Sequence, residues 1–309
     1  MRVLITGGAG FIGYHTAEHF HKNGYEVFCV DNFNDYYDPK LKFSRVEKMT
    51  DGITVEALDI QEYPAIEESI RENKPDLVIH LAASAGVRYS MEHPQEYIQN
   101  NIVGTQNVIQ ACEANGVDNV IYASTSCVMH NHPLPWNERL DLGPHLSPYG
   151  YTKATNESQF NVSSIQKAVG LRFFTVYGPW GRPDMALFDF TRKIIAGEEI
   201  TVYNNGDMIR DFTYVSDIVQ GIWLVSQNMT NRDIYCIGYG EQVQLMYFIE
   251  CIENEIGIKA KIKYEDAHPA DAKETWSDTT KLQQLGYKPT TPIEEGVKNF
   301  VQWYRSFYN

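Results

Sequence analysis

The chain has 309 residues, 43% hydrophobic and 21% charged, with 26 basic side chains against 40 acidic ones and a formal net charge of −14. That is enough apolar material for one large domain or two interleaved ones. The acidic balance speaks against a nucleic-acid or membrane-surface partner, while leaving room for a local basic pocket that takes an anionic substrate.

In chain order, Val3-Leu4-Ile5 reads as a short apolar strand. Glycines follow at Gly7, Gly10 and Gly13, then Phe11, Ile12, Ala17 and Phe20 at helical spacing, a stop at Gly24, a second apolar run Val27–Val30, and Asp31. Strand, glycine turn, helix, strand and acid in that order form a dinucleotide-binding fingerprint. Gly7 permits the tight turn, Gly10 lets backbone N–H groups approach a pyrophosphate at the positive end of the helix, and Gly13 lets the helix pack close to the sheet. Asp31, followed by Asn32, is placed to accept hydrogen bonds from both adenosine ribose hydroxyls. A carboxylate there would repel a 2′-phosphate, so the expected cofactor is NAD and not NADP.

Asn32–Thr50 reads as loop then helix, and Ile53–Leu58 as a third strand ending at Asp59-Ile60. The carboxylate and backbone there are placed to meet the adenine ring, with an N-cap for the next helix as the other reading of Asp59. Pro64–Asn73 is a helix with proline in its first turn. Asp76–Leu81 is a fourth strand closed by Ala82-Ala83, so that Leu81 and the two small residues let a cofactor approach the strand end. His80 inside it reads as a hydrogen-bonded core residue. Pro94–Asn115 is a long amphipathic helix burying Ile98, Ile102, Val108, Ile109 and Ala111, and Asn119–Ala123 is the next strand. This alternation predicts an α/β fold, a Rossmann-type doubly wound parallel sheet.

Ser124-Thr125-Ser126-Cys127 closes that strand, and Tyr149-Gly150-Tyr151-Thr152-Lys153 is placed to open a helix. Tyr149 and Lys153 share a helical face. An ammonium beside the phenol is expected to lower its pKa towards neutrality. With a Thr125 hydroxyl on the same substrate oxygen, this makes a base for taking a proton off an alcohol while hydride leaves to a nicotinamide. Tyr151 is the poorer candidate, because its i+4 partner is Thr155.

Five scattered cysteines (Cys29, Cys112, Cys127, Cys236, Cys251) without metal-ligand spacing read as the reduced thiols of a cytoplasmic protein. His130 and His132 lack a third ligand at plausible spacing, so no metal is expected. No apolar run is long enough to span a bilayer, and a strand starting almost at Met1 leaves no room for a signal peptide.

Over essentially its whole length the sequence resembles the extended short-chain dehydrogenase/reductase family. The matching residues are Gly7–Gly13 (GGAGFIG), Asp31, Asp59-Ile60, His80–Ala83 (HLAA), the Ser/Thr cluster and Tyr149–Lys153 (YGYTK). Within that family it looks most like UDP-glucuronate 4-epimerases, on Ala85–Ser90 (AGVRYS), Arg172–Phe188 (RFFTVYGPWGRPDMALF), Val202–Gly206 (VYNNG) and Arg210–Val219 (RDFTYVSDIV). The resemblance implies Thr125 and Tyr149 as catalytic residues, and Lys153 as the lysine that also holds the nicotinamide ribose. It implies contacts to the nucleotide sugar from Thr175, Arg210 and Asp271, substrate-side arginines at Arg88 and Arg182, and Tyr203 near the uracil. The hydroxyls of Thr125, Ser126 and Thr175 are suited to hold a sugar carboxylate so that the 4-keto form does not lose carbon dioxide.

The implied activity is inversion of carbon 4 of a UDP-sugar through a transient 4-keto intermediate, with bound NAD. A UDP-glucose/UDP-galactose 4-epimerase, or another NAD-dependent epimerase/dehydratase, is the other enzyme reading. Related 4,6-dehydratases carry Asp-Glu just after the catalytic threonine, where this chain has Ser126-Cys127, which disfavours elimination. A non-catalytic NAD sensor is expected to lose the Tyr/Lys pair, which is retained. Four features depart from the family pattern: Val128-Met129-His130 in place of VYG, the proline-rich His130–His145 segment, a short Asn156–Gly170 connection, and His268-Pro269-Ala270-Asp271 where the family usually has a Gly before the Asp. The expected organisation is an NAD-binding domain at 1–175, joined again by 206–238, and a nucleotide-sugar-binding domain at 176–205 and 239–309. The helices at Pro94–Asn115 and Ser147–Ser164 are expected to pair in a homodimer.

Overall fold

The structure, a computed structural model, describes residues 1–308. Strands β1 (Arg2–Thr6), β2 (Glu26–Asp31), β3 (Thr54–Ala57), β4 (Leu77–His80), β5 (Asn119–Thr125) and β6 (Lys167–Phe173) alternate with helices. These helices are α1 (Phe11–Lys22), α2 (Lys40–Lys48), α3 (Tyr63–Asn73), α4 (Val87–Glu92), α5 (Pro94–Tyr97), α6 (Gly104–Ala114) and α7 (Pro148–Val162). Then come β7 (Thr175–Tyr177), α8 (Ala186–Ala196), β8 (Glu199–Tyr203), β9 (Ile209–Arg210), β10 (Phe212–Tyr214), α9 (Val215–Gln227) and β11 (Asp233–Ile237). The chain ends with β12 (Val243–Gln244), α10 (Leu245–Ile256), β13 (Lys261–Glu265), α11 (Thr280–Gln283) and α12 (Ile293–Tyr308).

Seven strands form one sheet in the order β11-β6-β5-β4-β1-β2-β3, parallel throughout. This is the doubly wound α/β sheet expected from the sequence. Strand order reverses at β1, and the crevice outside the carboxyl ends of β1 and β4 is where such a sheet takes a ligand. Val3 and Ile5 face Phe11, Ala17 and Phe20 of α1 with Ile218 and Ile222 of α9. Leu4 faces Ile66 and Ile70 of α3 with Val108 and Ile109 of α6. A strand covered on both faces must be apolar at every position, so Val3-Leu4-Ile5 shows no alternation.

A second core joins α8, α10 and α12 over β8, through Phe188, Ile200, Val202, Phe248, Ile252 and Phe300. Between its parts the chain returns to the main sheet, where β11 pairs with β6. Among the described residues no helix is long and apolar enough to cross a membrane.

The rod from Pro94 to Ala114 is not a single α-helix: α5 passes through a π turn at Ile98–Val103 into α6. The wider turn shifts the inward face by a residue. Asn100 and Asn101 are therefore buried, whereas Ile98 and Ile102, expected in the core, are only half-buried. Val108, Ile109 and Ala111 are buried as expected.

Candidate active site

At the sheet's switch point the backbone builds a cradle. Gly7 has φ +71°, and a Cβ there would lie 2.8 Å from the Ala82 nitrogen. A Cβ at Gly13 would lie 2.1 Å from the Gly7 carbonyl oxygen, so only glycine lets α1 start this close to the turn. No side chain caps α1, so its first N–H groups are available to an anion. Asp31 is 7% exposed. Its carboxylate accepts hydrogen bonds from Lys42 Nζ at 3.2 Å and the Phe33 N–H at 2.9 Å, and Lys42 also reaches Asn34 Oδ1 at 3.1 Å. Asp31 is thus a buried, paired acid. Asp59 does not cap α3. Its carboxylate accepts from the Gln61 N–H at 2.8 Å and from Asn32 Nδ2 at 3.0 Å, beside the cavity lined by Leu58 and Ile60.

That cavity, about 330 Å³, runs from this cradle to the ends of β5 and α7. Gly7, Gly10, Phe11, Ile12, Gly13, Asp31 and Asn32 line one end, and Leu81, Ala82 and Ala83 its floor. Thr125, Ser126, Tyr149, Lys153, Thr175 and Arg182 line the other end. Ser147 caps α7, its Oγ accepting from the Gly150 N–H at 3.2 Å, with Pro148 in the first turn. The π turn completes the support: Asn101 Nδ2 donates to the Ser84 carbonyl at 2.9 Å and to Thr152 Oγ1 at 3.1 Å, and Asn156 Nδ2 donates to the Asn101 carbonyl at 2.6 Å. One buried amide thereby joins α7 to the loop after β4. Beneath the floor His80 lies between Thr6 Oγ1 at 2.7 Å and Thr105 Oγ1 at 2.9 Å, and burial lowers its pKa to about 3.

The electrostatics differ from the sequence expectation. Burial lowers the Lys153 pKa to about 8, against the raising influence of Glu157. Burial pushes the Tyr149 phenol up to about 12, with Cys127 adding to the rise and the Thr125 hydrogen bond and Arg182 opposing it. Desolvation of the phenolate outweighs the Arg182 charge and the Thr125 hydrogen bond, so in the protein alone Tyr149 is not lowered towards neutrality.

At the sugar end, charged side chains hold one another. Arg182 donates to Asp184 through Nε at 3.1 Å and Nη2 at 2.8 Å, and the Tyr36 hydroxyl donates to the same carboxylate at 3.0 Å. Burial works to lower the Arg182 pKa, but the Asp184 charge prevails and raises it. Arg88 Nη2 lies 2.6 Å from Asp271 Oδ2, and its guanidinium stacks 3.8 Å over the Tyr203 ring. Three residues far apart in sequence thus form one clasp. Arg210 donates to the carbonyls of Ile209 and Lys273, each at 2.9 Å. Its acidic neighbours in sequence are engaged elsewhere: Asp211 accepts from the Tyr239, Gly240 and Ser277 N–H groups, and Asp217 from those of Thr290 and Thr291. Arg88, Tyr203, Arg210 and Asp271 stand outside the lining of the main cavity.

Sequence reading missed Lys42, Tyr36 and Asp184. Asp184 was signalled by its place two residues after Arg182; nothing local marks Lys42, whose partner is eleven residues away. Of the departing Val128-Met129-His130 stretch, the first two side chains join a core with Trp136, Ala154 and Phe174. His130 tilts against Trp136 at 5.6 Å, and burial lowers its pKa to about 4. The Trp136 N–H donates to the Trp276 carbonyl at 2.8 Å, and the Asp278 N–H to that of Trp136 at 2.8 Å, so the proline-rich segment is stitched to residues 276–278.

Comparison with known proteins gives concordant matches. Residues 3–238 match the model of the NAD dependent epimerase/dehydratase family. Protein CapI of Staphylococcus aureus is 40% identical, with 100% of this chain and 99% of that protein aligned. The UDP-glucuronate 4-epimerase of Thermodesulfobacterium geofontis (strain OPF15) is 38% identical over 97% of this chain and 95% of its own length. Among solved structures, the UDP-glucuronic acid 4-epimerase from Bacillus cereus, in complex with UDP-glucuronic acid and NAD, superposes with a TM-score of 0.93 at 32% identity over 100% of both chains.

Proposed function

The chain belongs to the NAD-dependent epimerase/dehydratase family, an extended short-chain dehydrogenase/reductase, and we propose that it inverts carbon 4 of UDP-glucuronate to give UDP-galacturonate. It is an NAD-dependent nucleotide-sugar epimerase. The observation that carries the reading is one continuous cavity, with a glycine cradle and Asp31 at one end and Thr125, Tyr149 and Lys153 at the other. The cradle suits NAD, because any Cβ at Gly7 or Gly13 would fill the approach to the turn.

When bound, NAD supplies a positively charged hydride acceptor and later the hydride donor, and so is regenerated in each turnover. Thr125 and Tyr149 hold the sugar 4-hydroxyl, and Tyr149 as phenolate takes its proton. Lys153 holds the nicotinamide ribose and favours that phenolate. The flat 4-keto sugar then turns within the pocket, and Tyr149 returns the proton to the inverted alcohol. Ser126 and Thr175 join Thr125 in keeping the carboxylate out of line with the ketone, which slows decarboxylation. Burial raises the Cys127 thiol pKa, so neither it nor Ser126 supplies the acid–base pair that elimination needs. Arg88, Arg210 and Asp271 bind the nucleotide diphosphate sugar, with Tyr203 near the uracil.

A second reading, UDP-glucose/UDP-galactose 4-epimerase, draws on one observation: Arg182 at the cavity is already paired with Asp184, which suits a neutral hydroxymethyl group. Purified protein with UDP-glucuronate and no added NAD, followed by proton NMR, tests the main reading. Appearance of UDP-galacturonate establishes it; conversion of UDP-glucose alone selects the second.

We read the chain as an NAD lobe of 1–175 with 206–238 and a sugar lobe of 176–205 with 239–309. Exposed Met91, Val103 and Val162 on the outer faces of α4, the π turn and α7 support a homodimer through these helices. Five free cysteines among the described residues support a cytoplasmic location.

A further inference from the structure

Directly behind the Tyr149–Lys153 helix lies a buried ion pair that the mechanism above does not use. Glu157 follows Lys153 by four residues on α7, so Tyr149, Lys153 and Glu157 share one helical face. Its Oε1 accepts from Ser124 Oγ at 2.5 Å and from Arg172 Nε at 3.0 Å, and its Oε2 from Arg172 Nη2 at 2.9 Å. Ser124 on β5 and Arg172 on β6 are register partners in the sheet. Ser124 also precedes Thr125. The bridge therefore ties the helix carrying Tyr149 and Lys153 to the strand carrying Thr125. The three side chains of the bridge, with Lys153, are inside the protein: Ser124 1%, Lys153 2%, Arg172 3% and Glu157 8% exposed.

Charge matters as much as position here. Lys153 makes no salt bridge among the described residues, and Glu157 is the acid whose field favours its ammonium. Arg172 sets a positive charge against the same carboxylate, and its Nη1 has no hydrogen-bond partner among the described residues. The other titratable groups facing the bridge and Lys153 are His80 from β4, Tyr122 from β5, Cys236 from β11 and His145 ahead of α7. Burial disfavours the charged form of each. Glu157 and Arg172 are thus the ion pair that lies behind Lys153 on this side.

We propose that Glu157 is a positioning residue for Lys153, with Arg172 as its counterweight: the Ser124–Glu157–Arg172 bridge sets both the distance of α7 from β5 and the charge of the lysine. The proposal rests on reading Lys153 as the ammonium that supports Tyr149. It makes an unusual demand. Two substitutions that break the same bridge must move Lys153 in opposite directions, which a purely structural role would not do. Removing the carboxylate disfavours the ammonium. Removing the guanidinium leaves the carboxylate unbalanced and favours it.

The test is a carbon-13 NMR titration of protein labelled at lysine Cε, with the Lys153 resonance assigned by Lys153→Arg. Glu157→Gln keeps the shape and the contact to Ser124, and is expected to lower the Lys153 midpoint by about 1 pH unit. Arg172→Met is expected to raise it, and Arg172→Lys to restore it. The alkaline limb of kcat is expected to follow the same order. Should Arg172→Met fail to fold, Glu157→Gln decides alone. An unchanged midpoint there, or shifts of both variants in one direction, overturns the proposal. Absence of wild-type turnover on every UDP-sugar would instead sink the epimerase reading, and the titration would still report on the bridge.

Discussion

The two ends of the cavity are built by different means. At the cofactor end the backbone does the shaping: a glycine turn too tight for any Cβ, an uncapped helix start, and a buried acid already paired with Lys42. At the sugar end side chains do it, and they hold one another: Arg182 with Asp184 and Tyr36 at the cavity, and Arg88 with Asp271 and Tyr203 outside its lining. The first end is fixed in shape by glycines that no other residue can replace. The second carries charges that already hold one another. A backbone site is hard to retune but needs no rearrangement, whereas a side-chain site can change specificity by exchanging a few residues.

Tyr149→Phe, at the end of the cavity away from the glycine cradle, removes the proposed base and leaves the cradle untouched. Turnover of UDP-glucuronate is expected to fall by about 10²–10⁴-fold, with NAD binding by calorimetry unchanged; retained turnover would break the assignment. Gly13→Ala attacks the cofactor end alone. Its Cβ has no room at 2.1 Å from the Gly7 oxygen, so denaturant unfolding is expected to show a loss of about 1–3 kcal/mol, together with loss of NAD binding. Arg88→Ala attacks the sugar end alone. Because the guanidinium is partly solvated, KM for the UDP-sugar is expected to rise only about tenfold, with NAD affinity unmoved. A matching loss of NAD affinity would show that the two ends are one unit.

A pH series separates the ends further. Burial lowers the folded pKa of His80, under the cofactor floor, to about 3 and that of His15, on α1 and hydrogen-bonded to the Pro179 carbonyl, to about 4. Between these values and 6.5 the unfolded chain binds protons that the folded one refuses. Stability is therefore complete above pH 6.5 and falls on acidification, by at most about 1.4 kcal/mol per pH unit for each histidine. Urea midpoints between pH 7 and pH 4 measure this, and His80→Gln is expected to flatten the curve. The smallest effect belongs to Ser126→Ala, for which a slight rise in decarboxylated UDP-pentose is expected by NMR; no rise would remove Ser126 from carboxylate control.

The cofactor end was legible because its signals are local. Turn, helix start and acid lie within thirty-one residues, and each glycine answers a steric demand of its neighbours. Of the catalytic group, the residue types and the α7 face were legible, but its protonation was not, since burial of Tyr149 depends on everything packed around it. The helix at Pro94–Asn115 was legible as a helix. Its π turn was not, because periodicity cannot show where one extra residue will be accommodated, and so Ile98 and Ile102 were assigned to the core in place of Asn100 and Asn101.

By itself the sequence determined the parallel sheet, the tight glycine turn and the shared helical face of Tyr149 and Lys153, since these follow from short-range spacing and from which residues can be buried. Tertiary structure alone decided how Arg88, Tyr203 and Asp271 meet, that Asp31 is neutralised by Lys42, and that Glu157 and Arg172 lie beneath Lys153. Those outcomes depend on which distant segments share a low-dielectric space, where charges must find partners, and no local pattern records that.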